Sequence, residues 1–269
     1  MTSGVVYLIC GVKVAERLVA SAWSLRKHYD GPVTVLCSTD DEQELLSHAA
    51  TDLGLDLQCI DLSESPHPAY VAKSHIHDWT PYEDTIFLDA DTIITGEIDD
   101  LFGHRLTLTP NSNWKTTGKR CRRWLQQWET LDNPWINALV AYQVAAPRPF
   151  INIGIFAFQR DNPDLDIWHR LTQRFPEGPL PEQTAMQLLT SVITHRMMDE
   201  RFNRLLDIGC TTDDIRIWHY HGNRHYGRSD STLWRQAFDE AFIANIGGIR
   251  NWAGLYDKHV KYYLRGHRN

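Results

Sequence analysis

The residues best placed to do chemistry are Asp89 and Asp91, two carboxylates one residue apart at the end of the apolar run Ile86-Phe87-Leu88. Like charges this close repel, and at a strand end both can turn to one point only when a cation sits there. Hard divalent ions such as Mg2+ take one or two protein carboxylates and keep positions open for phosphate oxygens. Mn2+ accepts the same oxygens and an imidazole as well. A second group is His219-Tyr220-His221-Gly222-Asn223-Arg224-His225, with three imidazoles beside a glycine and an arginine after a strand-like run. An ion held by such groups neutralises a departing diphosphate, which is Lewis-acid help for a leaving anion. Each group also has a plainer reading. Asp89, Asp91, Glu97, Asp99 and Asp100 make an acidic, solvated turn, and a histidine after a strand is commonly a surface or core residue.

The elements around these residues decide between the readings. Val5-Val6-Tyr7-Leu8-Ile9-Cys10 is a continuous apolar run of buried-strand type. Ala15, Leu18, Val19, Ala22 and Leu25 follow at helical spacing. Gly31-Pro32 breaks the chain before a second strand, Val33-Thr34-Val35-Leu36-Cys37. Thr39 and Glu42 form a capping-box start to a helix bearing Leu45, Leu46 and Ala49. Leu57-Gln58-Cys59-Ile60 is a short third strand, and Thr85-Ile86-Phe87-Leu88 a fourth that runs straight into Asp89. Strands separated by helices predict an α/β architecture with a parallel, doubly wound sheet and ligands at the carboxyl edge of its strands. Asp89 falls on that edge.

From about 107 to 149 the periodicity weakens and Trp114, Trp124, Trp128 and Trp135 gather. Disordered segments are poor in aromatics, so the stretch reads as an inserted lobe of one domain covering residues 1–269. Its tryptophans suit an acceptor surface, since aromatic faces stack on sugar rings; Trp124 and Trp128, four residues apart, equally suit one buried helix face. Phe150-Ile151-Asn152-Ile153-Gly154-Ile155-Phe156-Ala157-Phe158 restores a strand. Helices are expected over 163–175, 182–195, 233–243 and 255–264, and a last strand over 215–218.

Composition narrows the partners. The formal charge is −7, which argues against a nucleic-acid binder with its basic face. Residues 258–265 are locally basic, however, and could meet an anionic membrane surface or simply end a solvated helix. Cys10, Cys37, Cys59, Cys121 and Cys210 lack metal-ligand spacing. Isolated cysteines in apolar runs fit a reducing, cytoplasmic setting. Residues 1–10 carry no basic, long-apolar leader pattern, and no apolar run approaches membrane-spanning length.

The segment 86–102, Ile-Phe-Leu-Asp-Ala-Asp-Thr-Ile-Ile-Thr-Gly-Glu-Ile-Asp-Asp-Leu-Phe, resembles the signature stretch of glycosyltransferase family 8, the glycogenin and bacterial galactosyltransferase group with the GT-A fold. Further matches follow in family order. They are Ser24-Leu25-Arg26-Lys27-His28 at the end of the first helix, Lys73 before the metal motif, and Phe150-Ile151-Asn152-Ile153-Gly154 for the strand beside the donor sugar. Glu182-Gln183, Arg201-Phe202-Asn203 and His219-x-x-Gly222-x-x-His225 complete the series. The resemblance spans about residues 5–226.

It implies transfer from a UDP-sugar, with retention, to a glycan or other hydroxyl acceptor. Asp89, Asp91 and His219 would hold Mn2+ or Mg2+. Lys73, Asp89, Ala90, Asp91, Gly154, Gly222, Arg224 and His225 would meet the donor's diphosphate and sugar, with Cys10 beside the base. Asn152, Glu182 and Gln183 would hold the reacting sugar, with Glu182 steadying an oxocarbenium-like centre. An inverting enzyme would instead need a base such as Glu129 or Asp132 near the acceptor.

This chain departs from the family pattern at three places: His225 stands for a lysine, Glu182 for an aspartate and Ile153 for a serine. Arg224 is available to replace the missing lysine charge, and His221 competes with His219, whose spacing to Gly222 matches the motif. Two rivals remain at this level. One is a catalytically weak nucleotide-sugar-binding protein of the same fold. The other is a haloacid-dehalogenase-type phosphatase, whose Asp-x-Asp usually opens its domain.

Overall fold

The computed structural model describes residues 2–62, 68–111, 114–145, 149–205, 214–220, 232–252 and 254–255. Strand β1 (Ser3–Ile9) runs parallel to β2 (Val33–Cys37) on one side and β4 (Asp84–Leu88) on the other, and β2 pairs in parallel with β3 (Leu55–Cys59). Helices α1 (Ala15–Leu25) and α2 (Asp40–Leu53) make the first crossovers. Val5, Tyr7 and Ile9 belong to one hydrophobic cluster, while Val6 belongs to a second, with Leu8 packed on it. Both faces of β1 are therefore covered, which is why its sequence is apolar without alternation.

Thr39 caps α2 as expected, accepting from Glu42 N–H at 3.3 Å. The reciprocal arm of the capping box goes elsewhere. The buried Glu42 carboxylate takes the N–H of Ser38 at 2.6 Å and that of Gly11, and so ties the ends of β2 and β1 together.

The far side of the sheet departs from a purely parallel plan. Strand β7 (Ile151–Gln159) runs antiparallel to both β4 and β6 (Leu106–Pro110), and the two-residue β8 (Arg196–Met197) is parallel to β6. The order is β3-β2-β1-β4-β7-β6-β8, with β7 alone reversed among these strands. The architecture is α/β with a mostly parallel sheet flanked by helices, the GT-A type.

Three short strands form a second sheet: β5 (Thr92–Ile94), β9 (Arg204–Leu205) and β10 (Ile217–His219), in the order β5-β10-β9. Helices α3 (Pro68–Ser74) and α4 (Ile76–Trp79) precede β4.

Within the segment 107–149, the first residues belong to β6 of the main sheet and not to a separate lobe; α5 (Trp114–Gln126) and α6 (Pro134–Ala145) follow. Trp128 is wholly buried, with its indole N–H on Thr184 Oγ1 at 3.0 Å, and Trp124 packs on the same core. That pair is core. Trp135 is 47 % exposed.

Helix α7 (Asp164–Arg174) matches expectation, but α8 (Pro181–Leu189) stops before 195. The chain there turns, with Thr190 Oγ1 bonded to Gln187 O at 2.6 Å, and crosses to pair β8 with β6. Helix α9 (Thr232–Ala244) lies where 233–243 was expected, and α10 (Ile249–Trp252) ends the described helices. The helix expected over 255–264 lies outside the described residues apart from Leu255.

Candidate active site

Asp89 follows the last residue of β4, and Asp91 precedes β5. The turn between them is held by Thr92 Oγ1, which donates to Asp89 O at 2.8 Å, and the same hydroxyl lies 2.9 Å from Ser21 Oγ of α1. His219 arrives by strand pairing: β10 lies antiparallel to β5 with His219 opposite Thr92, and Tyr220 N–H donates to Asp91 O at 2.8 Å. The imidazole Nε2 then lies 3.2 Å from Asp91 Oδ1 and 3.7 Å from Asp89 Oδ2. One ligand atom from each of the three falls within 4.8 Å of the others.

A cluster of buried amides orients that ring. Asn203 Nδ2 donates to Thr109 Oγ1 at 2.7 Å and to Asn152 Oδ1 at 3.0 Å, so its Oδ1 faces His219 Nδ1, 3.0 Å away. The proton of the neutral imidazole is thereby placed on Nδ1, and the Nε2 lone pair faces the carboxylates. Asn152 Oδ1 also accepts from Gly154 N–H at 2.9 Å, which fixes its amide orientation.

These contacts sit at a bulge. Between Leu108 and Thr109 the β7 partner jumps from Phe156 to Asn152, and Thr109 Oγ1 lies 2.9 Å from Asn152 O and 2.7 Å from Ile155 O across the gap. Bulges re-aim side chains next to functional sites. Gly154 lies inside this one. A methyl group there would overlap His219 Cε1 and stand 2.8 Å from Asp89 Oδ2. Asp89 N–H donates to Gly154 O at 2.7 Å. The glycine expected to meet the donor thus makes room for His219 and Asp89.

Two cations reach the carboxylates from different helices. Lys73 Nζ of α3 is 2.6 Å from Asp89 Oδ1, and Arg17 Nη1 of α1 is 4.0 Å from Asp91 Oδ2. Burial pulls Lys73 down, but the charges of Asp89 and Glu182 outweigh it and the ammonium pKa is raised. These groups line a cavity of about 330 Å³ that Leu8, Cys10, Tyr70 and Ala90 also bound. Burial pushes the Cys10 thiol up to about 11, so it presents a neutral wall.

Glu182 and Gln183 enter in the first turn of α8. Leu180 holds a left-handed conformation (φ 47°) before Pro181, and Trp168 Nε1 donates to Glu182 O at 2.7 Å. Burial pushes the Glu182 carboxyl up to about 7 against the pull of Lys73.

The structure therefore brings Cys10, Lys73, Asp89, Ala90 and Asp91 together around one cavity, with His219 and Gly154 against its two aspartates. Glu182 acts electrostatically on Lys73, and Asn152 is joined to His219 through Asn203. Gly222, Arg224 and His225, with the competing His221, lie outside the described residues. Arg17, Tyr70 and Thr109 gave no signal in sequence. Asn203 did, as the last residue of Arg201-Phe202-Asn203; Arg201 itself is turned outward to Asp199 and Asp214.

A mostly parallel sheet with a carboxylate pair at the end of its fourth strand defines the GT-A class of folds. No family model matches the chain, and no curated protein sequence does. Solved structures do. The bifunctional glycosyltransferase WbbM superposes with a TM-score of 0.63 at 12% identity over 88% of this chain. The Streptococcus pneumoniae glycosyltransferase GlyE gives 0.60 at 15% identity over 91%. The galactosyltransferase LgtC, solved with donor and acceptor sugar analogs, gives 0.61 at 12% identity over 91% of this chain and 95% of its own. This chain spans 49% of the WbbM chain and 64% of the GlyE chain. LgtC and GlyE are of the family 8 type, the group whose motifs the sequence resembles. Asp89 follows the fourth strand of the chain and not the first, unlike the Asp-x-Asp that opens a dehalogenase-type domain.

Proposed function

We propose that this chain is a glycosyltransferase that moves a hexose from a nucleotide-diphosphate sugar, a UDP-sugar, to a hydroxyl of a glycan or other acceptor, with retention at the anomeric carbon. The observation that carries this reading is the meeting of Asp89, Asp91 and His219 Nε2 at the carboxyl edge of the sheet, against a cavity. The donor set fits a divalent cation: two carboxylates and an imidazole whose proton is held on the far nitrogen, with Gly154 leaving the space they need. Mn2+ or Mg2+ bound there would offset the charge of the departing diphosphate.

The chain's own groups supply the rest. Lys73 and Arg17 offer positive charge to phosphate oxygens as charge-assisted donors. The Asn152 oxygen is committed to Gly154 and Asn203, which leaves its amide N–H2 for a sugar hydroxyl. The ionised Glu182 carboxylate, in a site with little water, stabilises positive charge at the anomeric carbon. In a retaining reaction of this kind the acceptor's proton leaves on the departing phosphate oxygen, so no dedicated base is needed. Trp135 and Tyr142 stand exposed seven residues apart on α6 and are the acceptor-side surface in this reading. A cytoplasmic location belongs to the same proposal.

A donor-binding protein without turnover is the second reading, favoured by a Glu182 that is buried and half protonated near neutrality. A thermal-shift screen of nucleotide sugars with and without Mn2+ tests both. Binding to the folded state raises Tm. The expected result is stabilisation by a UDP-sugar that requires the metal and is lost in Asp91→Asn. Equal stabilisation without metal counts against the site. Metal-dependent binding with no transfer to any of a broad acceptor panel selects the second reading.

A further inference from the structure

Away from the cavity, α4 and α7 bring a second set of ligand-type side chains together. His77 Nε2 lies 3.1 Å from Asp166 Oδ1 and 3.7 Å from Asp78 Oδ1. One ligand atom from each of these residues lies within 4.8 Å of the others. The His77 side chain is 4 % exposed, and its buried Nδ1 has no partner among the described residues. Nε2 is therefore the ring's one polar outlet, and it faces two carboxylates from two helices. A single N–H reaches one of them, whereas a cation between them would meet both, with each carboxylate open to solvent on its other side.

The spacing fits a particular kind of cation. Bonds of about 2.0–2.1 Å in a tetrahedral zinc site put neighbouring ligand atoms roughly 3.3–3.4 Å apart, and the two observed separations bracket that edge. Oxygen-only preferences exclude Mg2+ and Ca2+ as best occupants, because an imidazole supplies the most buried ligand. An outer layer is present as well. His75 Nε2 pairs with Asp78 Oδ2, the oxygen turned away from His77. The His75 ring stacks on His169 with centroids 4.0 Å apart, and His169 Nδ1 is 3.0 Å from Ser74 Oγ. Such outer partners fix the orientation of a ligating carboxylate.

We propose that His77, Asp78 and Asp166 form a second metal site that takes Zn2+, with solvent as its fourth ligand, separate from the Asp89, Asp91 and His219 triad. Its place in the fold gives it a structural role. Only His75 separates α4 from α3, the helix from which Lys73 reaches Asp89. A zinc tie between α4 and α7 braces the segment that carries Lys73.

The test uses Zn2+ alone on the full chain after chelator dialysis, in an Asp91→Asn background that disables the first triad. One Zn2+ per chain is expected to bind with micromolar Kd and to raise Tm. Co2+ in its place should give the visible absorption of a tetrahedral nitrogen–oxygen site. Adding Asp166→Asn should weaken zinc binding roughly 100-fold, at least what loss of an outer partner costs a metal site. Asp166 is exposed, so that variant keeps its fold even if the buried His77→Gln does not. Zinc binding no tighter than millimolar in the Asp91→Asn protein, or unchanged by Asp166→Asn, overturns the proposal.

Discussion

The side-chain oxygen of Asn203 sits 3.0 Å from Nδ1 of His219, and this contact decides which imidazole nitrogen faces Asp89 and Asp91. Asn203 cannot turn its amide around, because its nitrogen is already spent on Thr109 and Asn152. The tautomer of His219 is thus set by Asn203, itself held by Thr109 of β6 and Asn152 of β7.

Asn203→Leu removes the acceptor for Nδ1–H while keeping the side chain's bulk. Mn2+ affinity should fall by about 10–100-fold, the usual cost of losing an outer-shell partner. Stability should fall by about 1–3 kcal/mol, because the buried Nδ1–H of His219 loses its acceptor. Asn203→Asp, which keeps the acceptor, should recover most of the metal affinity. Calorimetric titration with Mn2+ separates the two variants, and equal affinities in both would remove Asn203 from the site.

Gly154→Ala tests the bulge. The added methyl group meets His219 and Asp89 directly, while β7 remains paired with β4 after it and with β6 before it. Forcing a buried methyl into a packed site costs about 1–3 kcal/mol, and here the strain falls on two proposed ligands. The variant should stay folded by circular dichroism yet lose Mn2+-dependent stabilisation by nucleotide sugar. A variant that binds metal like the wild type would show that the ring and carboxylate have room to move.

Much of this arrangement is legible in the sequence, for reasons that differ by element. Strands β1, β2 and β4 are covered on both faces, so their composition alone declares them. The order of short motifs locates Asp89, Asp91 and His219, because the aspartates flank the turn after β4 and the histidine closes β10. What is not legible lies where tertiary contacts override local pattern. Helix α5 shows Cys121 and Leu125 to the core, with Trp128 in the turn just beyond its end, a narrow apolar stripe on an otherwise charged helix whose composition reads as surface. The three-residue β5 and β10 exist because they pair with each other, and their pairing is what carries His219 to Asp91. Arg17 sits beside the buried Leu18 on α1, and nothing in its spacing separates it from an ordinary surface arginine. The overrun of α8 has the same origin: residues 196–197 have no strand signal and pair with β6 only because the chain returns to the sheet edge.

Lys73 stands as a counter-charge to Asp89. Lys73→Met leaves that carboxylate partly buried beside Asp91 with less compensation. A fully buried broken pair costs about 3–5 kcal/mol; side-chain exposures of 12% and 25% lower the expectation to about 2 kcal/mol. Mn2+ replaces the missing charge, so saturating Mn2+ should raise the Tm of Lys73→Met more than that of the wild type. Catalytic efficiency should still fall, since the phosphate contact is gone. A smaller metal-induced shift in the variant would mean that Lys73 supports the carboxylates in some other way.

Glu182 gives the pH dependence a sign. Its carboxyl is raised from an ordinary value near 4.5 to about 7, first by burial and against the charge of Lys73. A group raised on folding favours the folded state below its unfolded pKa, and that stability is lost as pH rises through the folded value. The metal-free wild type should therefore lose stability between about pH 4.5 and pH 7, by at most about 3 kcal/mol from this group. Glu182→Gln removes the charged form, so its stability should match the wild type near pH 4.5 and exceed it at pH 8. Activity runs the other way. In the proposed reaction the ionised carboxylate is the form that steadies positive charge on the sugar, so the wild-type rate should climb through about pH 7 to a plateau. In Glu182→Gln the rate should be low and should lack that limb. If the limb persists in the variant, its titrating group is another residue, and Glu182 is a buried structural acid that the reaction does not use.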